Sequence, residues 1–355
     1  MEPLNLAEYE RLAEDVLDPG LFAYYAGGAE DERALRGNEE AWSRWHLRPR
    51  VLVDVGEVRT DTTVLGTPVS VPVVLAPLAF EGLAHPQGEL AAARAAARAG
   101  TVMCLSTFAN VAPQELAEAA PKAPRWFQLY WFKDEGVTRA LVEQAVAGGF
   151  SAIVLTVDAP VVAKRERDLR STFRVTPDIP VPSLAAALGI PPDGRMEELL
   201  TVMSPSVTWR EIVRLDEMSG LPVVVKGVFT AEDAALACEH GAAALVVSNH
   251  GGRQLDAAAP SADVLAEVVD AVAGRIEVYV DGGVRRGSDV VRALALGARA
   301  ALIGRPALWA LAARGEEGVA HILQILRAEV ATTLALCGCA DPASVTRAHV
   351  VRPGA

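Results

Sequence analysis

The sequence predicts an α/β chain closed as a (β/α)8 TIM barrel, with a helical extension before the barrel and a long insertion inside it. Three observations carry this. Short β-branched runs alternate with helical segments eight times, and alternation over about 250 residues builds a parallel sheet covered by helices. No GxGxxG follows the first run, as a doubly wound dinucleotide fold, the competing arrangement, would show. Polar residues also end nearly every run: Ser106, Gln128, Tyr130, Thr156, Asp158, Lys226, Ser248 and Asp281. The C-terminal end of the strands is the face on which barrels gather their chemistry.

Residues 1–65 read as a helical extension packed on the barrel, with 1–355 forming one domain. The first strand run, 71–77, is followed by a helix opening at Pro86, because proline is tolerated at a first helical position. Run 101–106 leads to a helix near Pro113, and run 125–130 to a helix over 134–147. The fourth run, 152–158, is followed by the insertion, 174–208, between strands four and five. An insertion of that length reads as a partly mobile lid, and its weakly apolar 183–188 turn is too short for a membrane anchor. Run 222–226 precedes a helix over 230–239, where Thr230 with Asp233 forms a capping-box variant. Runs 243–248, 277–281 and 300–304 precede helices over 261–273, 288–296 and from about Pro306.

The chain is 51% hydrophobic and 22% charged, with mean hydropathy +0.23, which supports a large core. Its formal charge of -12 argues against nucleic acid as the main partner, since backbone phosphates call for a basic surface. A small anion is a different matter, because it responds to local arginines. Cys104, Cys238, Cys337 and Cys339 contain no CxxC pair, and Cys337-Gly-Cys339 is too tight and isolated for zinc. No metal is expected, and a reduced, cytoplasmic protein is. No basic segment followed by an apolar one opens the chain, no uncharged apolar run approaches the ~20 residues of a membrane span, and no peroxisomal tripeptide ends it.

The most informative stretch runs from Leu245 to Asp256. A buried-strand pattern ends and delivers Ser248, His250 and Arg253 within six residues, with Gly251 and Gly252 between the last two. A base and a fixed cation at a strand tip suit proton removal from an anionic substrate held beside a cofactor. Two glycine loops follow, Asp281-Gly-Gly-Val-Arg-Arg-Gly287 and Ile303-Gly-Arg-Pro306. Either alone reads as an ordinary turn. Together, after strands seven and eight, they sit where barrels bind phosphate, with Arg285 or Arg305 to add charge. Asp158 pairs with His250 in this reading. Arg253 offers a bidentate carboxylate clamp, Arg165 a second cation, and Tyr24 and Tyr130 hydroxyl donors. Lys226 stays ambiguous between a Schiff-base nucleophile of a barrel lyase and a cation facing an anionic cofactor.

These residues also carry a family resemblance. The chain resembles the FMN-dependent (S)-2-hydroxy acid oxidising family, which includes glycolate oxidase, lactate oxidase and the mandelate oxidases and dehydrogenases. The match runs from Tyr24-Tyr-Ala-Gly-Gly-Ala-Glu-Asp31 through Arg48-Pro-Arg50, Ala76-Pro77, His85-Pro-Gln-Gly-Glu89 and Phe127-Gln-Leu-Tyr130. It continues through Leu155-Thr-Val-Asp158, Val225-Lys-Gly227, Ser248-Asn-His-Gly-Gly-Arg-Gln254 and the two glycine loops. The resemblance implies FMN as cofactor, an (S)-2-hydroxy acid as substrate, a 2-oxo acid and hydrogen peroxide as products, and O2 as acceptor. It implies His250 as base paired with Asp158, taking a proton from carbon or from oxygen. It implies Arg253, Tyr24 and Arg165 on the carboxylate, Tyr130 on the hydroxyl, and Lys226 beside the flavin N1–C2 carbonyl. Pro77, Ala79, Ser106, Gln128, Thr156 and Ser248 would contact the isoalloxazine, and Asp281, Gly283, Arg285, Gly304 and Arg305 the ribityl phosphate.

Departures from the family pattern bear on the substrate. Phe108 stands where glycolate oxidases carry tryptophan, and Val162 near a position they fill with leucine, so a larger acid than glycolate is expected. Ala79 follows the oxidase-like pattern rather than the glycine of some dehydrogenases. A quinone- or cytochrome-linked dehydrogenase and a lactate-type monooxygenase are the alternatives. A homo-oligomer, tetramer or octamer, is the implied assembly.

Overall fold

The computed structural model describes residues 2–171, 173–174, 179–189 and 203–353. Eight strands form the barrel: β1 (Val73–Leu75), β2 (Met103–Leu105), β3 (Arg125–Leu129), β4 (Ile153–Thr156), β5 (Val223–Val228), β6 (Ala244–Val247), β7 (Glu277–Val280) and β8 (Ala300–Ile303). All neighbours pair in parallel, and β8 returns to β1 through Leu302 opposite Val74. The expected barrel is therefore present, with strand ends within two residues of the sequence reading.

Strand side chains alternate between two cores, as a pleat of period two requires. Val74, Cys104, Trp126, Val154, Val224, Val246, Tyr279 and Leu302 fill the barrel interior. Leu75, Leu105, Phe127, Leu155, Val225 and Val280 face the helical shell. The shell helices begin where local chemistry predicts. Asp134 caps Glu135–Ala147 by accepting from Gly136 N at 2.8 Å, and Thr230 caps Ala231–Glu239 by accepting from Asp233 N at 3.2 Å. The final helix, Arg305–Cys337, is broken at Arg314 and Gly315 and packs along Leu6–Val16 and Gly88–Ala99.

Three expectations are corrected. The helix placed at Pro86 begins at Gly88. Pro86 instead occupies the second position of a turn closed by Gly88 N donating to His85 O at 2.8 Å, a place proline favours equally. The N-terminal extension is helical only through Leu6–Val16, Pro19–Ala26 and Arg33–Ser43. Beyond it, His46–Leu47 pairs with Val350–Val351, and Thr62–Val64 pairs with Thr67–Val69 as a hairpin. That hairpin plugs the N-terminal mouth of the barrel, where Leu65 N donates to Glu277 Oε2 at 3.0 Å and to Tyr279 Oη at 3.1 Å. Within the expected lid, 175–178 and 190–202 lie outside the described residues. The 183–188 turn is part of a helix, Pro182–Leu188, that packs on Glu135–Ala147 and buries Leu184 completely.

Candidate active site

The period of two that fills the barrel also builds its upper rim. Two residues beyond each interior side chain stand Ala76, Ser106, Gln128, Thr156, Lys226, Ser248, Asp281 and Gly304. All but Ser248 line one cavity of about 400 Å³ at the C-terminal end of the strands, within the usual range for a ligand pocket. The ring is cross-linked. Gln128 Oε1 accepts from Ser106 Oγ at 3.3 Å and Thr107 N at 3.1 Å, while its Nε2 donates to Thr156 Oγ1 at 3.0 Å. Lys226 Nζ donates to Ser248 Oγ at 2.8 Å and pairs with Asp281 Oδ2 at 3.1 Å. Burial lowers the lysine pKa, but Asp281 and Asp158 outweigh it and hold it above its ordinary value. A Schiff base requires a neutral amine, so this anchored cation does not suit the lyase reading.

His250 sits in the left-handed region, φ 58°, directly after β6. Its Nδ1 lies 2.8 Å from Asp158 Oδ1. Burial pushes the Asp158 carboxyl up, but His250 and Lys226 overcome this and hold it below its ordinary value. An ionised carboxylate only accepts, so the proton resides on Nδ1 and Nε2 is left as the basic nitrogen. Asp158 does not itself line the cavity; it stands behind the histidine, with Oδ2 buried and accepting no hydrogen bond among the described residues. Gly227, on β5, makes room for it. With φ 109°, a Cβ there would meet Asp158 Cβ at 2.6 Å.

Across the cavity, Arg165 Nε donates to Arg253 O at 3.4 Å, and the carboxylate of Asp168 stands close enough to act on both guanidinium groups. Arg253 Nη1 donates to Tyr24 O at 2.8 Å and Gly27 O at 2.7 Å, with its guanidinium 5.2 Å from the Tyr24 ring centre. Burial and the neighbouring Arg253 push Arg165 down to about 10, still a cation at neutral pH. Tyr24 and Tyr130 line the same wall, each phenol raised by burial. Phe108 packs on Tyr130 with ring centres 5.6 Å apart. Asp168, not anticipated from sequence, also faces this wall, with Oδ1 buried and without a hydrogen-bond partner among the described residues. Nothing around Asp168 in the chain marks it. It becomes visible only when the five-residue helix Glu166–Arg170 is placed.

The glycine loops after β7 and β8 lie at the far end. Gly283 has φ 75°, and a Cβ there would fall 2.0 Å from Asn38 O, so the loop presses directly on the helix Arg33–Ser43. Arg285 is turned toward that helix and pairs with Glu39 at 2.7 Å. Arg305, expected to meet phosphate, donates to three carbonyls: Tyr25 at 2.9 Å, Gly251 at 2.9 Å and Gly27 at 3.0 Å. Burial, Arg253 and Arg285 push it down to about 9. The expected residues Tyr24, Pro77, Ala79, Phe108, Tyr130, Arg165, His250, Arg253, Gly283, Arg285 and Arg305 thus reach the same cavity as the rim. Asp158 and Ser248 stand one layer behind it.

A base backed by a carboxylate, paired arginines and two glycine loops in one barrel mouth define an enzyme for anionic substrates. Residues 13–352 match the family described as FMN-dependent dehydrogenase. An L-lactate oxidase from Nostoc sp. is 49% identical over 348 residues, covering 96% of this chain and 95% of that one. Glycolate oxidase 3 from Oryza sativa subsp. indica is 46% identical over 352 residues, covering 98% and 96%. A crystal structure of mandelate oxidase with 3,3-difluoro-2-hydroxy-3-phenylpropionic acid superposes with a TM-score of 0.88 at 40% identity, covering 98% of each chain. The chain belongs to the FMN-dependent dehydrogenase family, and its cofactor is FMN.

The residues present fit that cofactor. Asp281 Oδ1 is buried without a hydrogen-bond partner among the described residues, an acceptor suited to a hydroxyl-bearing chain. Lys226 brings a buried cation to the cavity floor, and the half-buried Arg285 lines the cavity beside Gly282 and Gly283.

Proposed function

We propose that the protein is an (S)-2-hydroxy acid oxidase, converting an (S)-2-hydroxy acid and dioxygen to the 2-oxo acid and hydrogen peroxide. The observation that carries this is the His250–Asp158 pair at 2.8 Å facing the same cavity as Arg165 and Arg253. Its relatives named L-lactate oxidase and glycolate oxidase support the same substrate class.

In this reading Arg253 and Arg165 bind the substrate carboxylate, which relieves their mutual repulsion. Tyr24 donates to that carboxylate, and Tyr130, kept protonated by burial, donates to the 2-hydroxyl. His250 Nε2 takes a proton from the 2-hydroxy carbon unit, and Asp158 stabilises the imidazolium that results. FMN, when bound, accepts the two electrons of the substrate C–H bond and passes them to dioxygen. Lys226 keeps positive charge at the cavity floor, where negative charge develops. Pro77, Ala79, Ser106, Gln128 and Thr156 form the platform for the cofactor ring, and Asp281, Gly283, Arg285, Gly304 and Arg305 surround its phosphate end.

The enzyme in this reading assembles as a homo-oligomer. Val51, Leu52 and Leu336 are 81%, 103% and 70% exposed, large apolar side chains of the kind a subunit contact covers. Sedimentation equilibrium tests the assembly. The activity is tested by anaerobic bleaching of the bound flavin with glycolate, lactate and mandelate, followed by air and a peroxide assay. Bleaching by a 2-hydroxy acid with peroxide on re-aeration is expected. A flavin that none of the acids bleaches contradicts the reading, and bleaching without oxygen-dependent recovery assigns another acceptor. His250→Ala retains FMN and loses about 10²–10⁴-fold in the bleaching rate.

A further inference from the structure

A second cavity of about 270 Å³ adjoins the first. It lies outside the barrel wall at the rim, over the outward faces of β4 and β5, where Leu155 and Val225 form its floor. Val207, Trp209 and Ile212 close it from above. Its volume is nearly twice that of the roughly 150 Å³ apolar cavity known to hold a benzene-sized guest.

The wall between the two cavities is thin. Tyr130, Thr156, Ala159 and Met203 line both. Ala159 contributes only a methyl group, and Met203 a flexible thioether that yields to a neighbour. The backbone beside Met203 is fixed, since Met203 bridges to Phe132 and Ser204 N donates to Trp131 O at 2.8 Å. The partition therefore combines a fixed backbone with one long side chain, Met203, that can rearrange.

We propose that this side cavity receives the aliphatic side chain of the substrate, so that the preferred substrate is a medium-chain 2-hydroxy acid. The inference rests on the hydroxy-acid reading of the main site. With the carboxylate held by Arg165 and Arg253 and the 2-hydroxyl beside Tyr130, a straight alkyl chain has no polar partner to seek. The apolar part of the wall shared with the side cavity is Ala159 and Met203, beside Tyr130; the polar Ser204, Thr208 and Asp233 also line that cavity.

The test is kcat/KM from anaerobic flavin bleaching across straight-chain acids, from lactate through 2-hydroxydecanoate. Each methylene buried is expected to raise kcat/KM by about four-fold until the cavity is full. Val207→Trp fills the cavity and lowers the ratio of 2-hydroxyoctanoate to lactate by at least about ten-fold; Ile212→Ala enlarges it and moves the plateau to longer chains. FMN content and thermal midpoint report folding for both variants. Because Trp131 and Trp209 line the cavity, 2-oxooctanoate, unlike pyruvate, is expected to change tryptophan emission. A flat or falling series in the wild type, or a rise that neither variant alters, overturns the inference and leaves the hydroxy-acid reading standing. Bleaching by no acid of the series overturns that reading and the role of the cavity together.

Discussion

Gly227→Ala is expected to disable the enzyme without touching any group that meets substrate. The new methyl would lie 2.6 Å from Asp158 Cβ and 2.9 Å from its Cγ. Carbon atoms rest at about 3.5–4.0 Å, so the Asp158 side chain must retreat by about 1 Å. The His250 Nδ1 to Asp158 Oδ1 distance, now 2.8 Å, would then exceed hydrogen-bond range. A misplacement of about 1 Å in a catalytic constellation costs on the order of 10²-fold in rate. The positive φ adds about 1–2 kcal/mol of backbone strain, which falls on stability rather than turnover. Stopped-flow bleaching under anaerobic conditions measures the first effect, and urea denaturation of the FMN-loaded protein the second. The decisive measurement is the double-mutant cycle with Asp158→Ala. If Gly227 acts by making room for that carboxylate, its substitution loses little further rate once the carboxylate is gone. Full additivity of the two losses, or wild-type bleaching by Gly227→Ala, would refute the reasoning.

Other predictions follow from the same contacts. Lys226→Met strands Asp281 in a pair whose side chains are 7% and 11% exposed; the expected loss is about 3–5 kcal/mol by urea denaturation, and a loss below about 1 kcal/mol would show the pair to be dispensable. Arg305→Lys replaces a fork that serves three carbonyls with a point donor, so about 2–4 kcal/mol of stability is lost and FMN dissociates faster in a fluorescence assay. An unchanged dissociation rate would separate Arg305 from cofactor retention. Glu81 and Glu89 are buried with no ion-pair partner among the described residues, and burial raises both carboxyls, Glu81 well above its ordinary value. The folded state therefore binds protons more tightly than the unfolded one, and stability falls as pH rises from the unfolded pKa through the folded values. Glu81→Gln should raise the thermal midpoint more at pH 8 than at pH 5; an equal shift at both would argue against a titrating pair.

The barrel was legible because its strands are buried on both faces and so read as unbroken apolar runs. Val223, Val224 and Val225 need no partner identified to declare a strand, and the polar residue ending each run already points to the working face. The site was legible where function and chain position coincide, as at His250 and Arg253 beyond β6. It was obscure where partners meet only in the fold. Asn38 and Asn249 exchange amide hydrogen bonds at 2.8 Å across a separation of 211 residues, and no local pattern in either segment announces the other. Arg305 shows the same limit: its place beside a glycine at the end of a strand suggests a phosphate ligand, but the carbonyls it also holds belong to residues 25, 27 and 251 and leave no local trace. The hairpin 62–69 escaped because its strands have three residues each, too few to establish a period.

The grip of Arg253 and Arg305 on the end of the helix Pro19–Ala26 has a consequence for the order in which the molecule is made. Ribosomes add about 5–20 residues each second, so with 280 residues between Tyr25 and Arg305 the first helices wait roughly 14–56 s for the later of the two arginines that hold them. Until then their apolar faces have no barrel to cover, and the carboxylate clamp has no frame. The pocket is thus completed late in synthesis, and a chain truncated before residue 305 would carry His250 and Arg253 without a finished site. Tightly held cofactor consequently reports a chain translated past that point, which makes flavin content a measure of molecules whose pocket has closed.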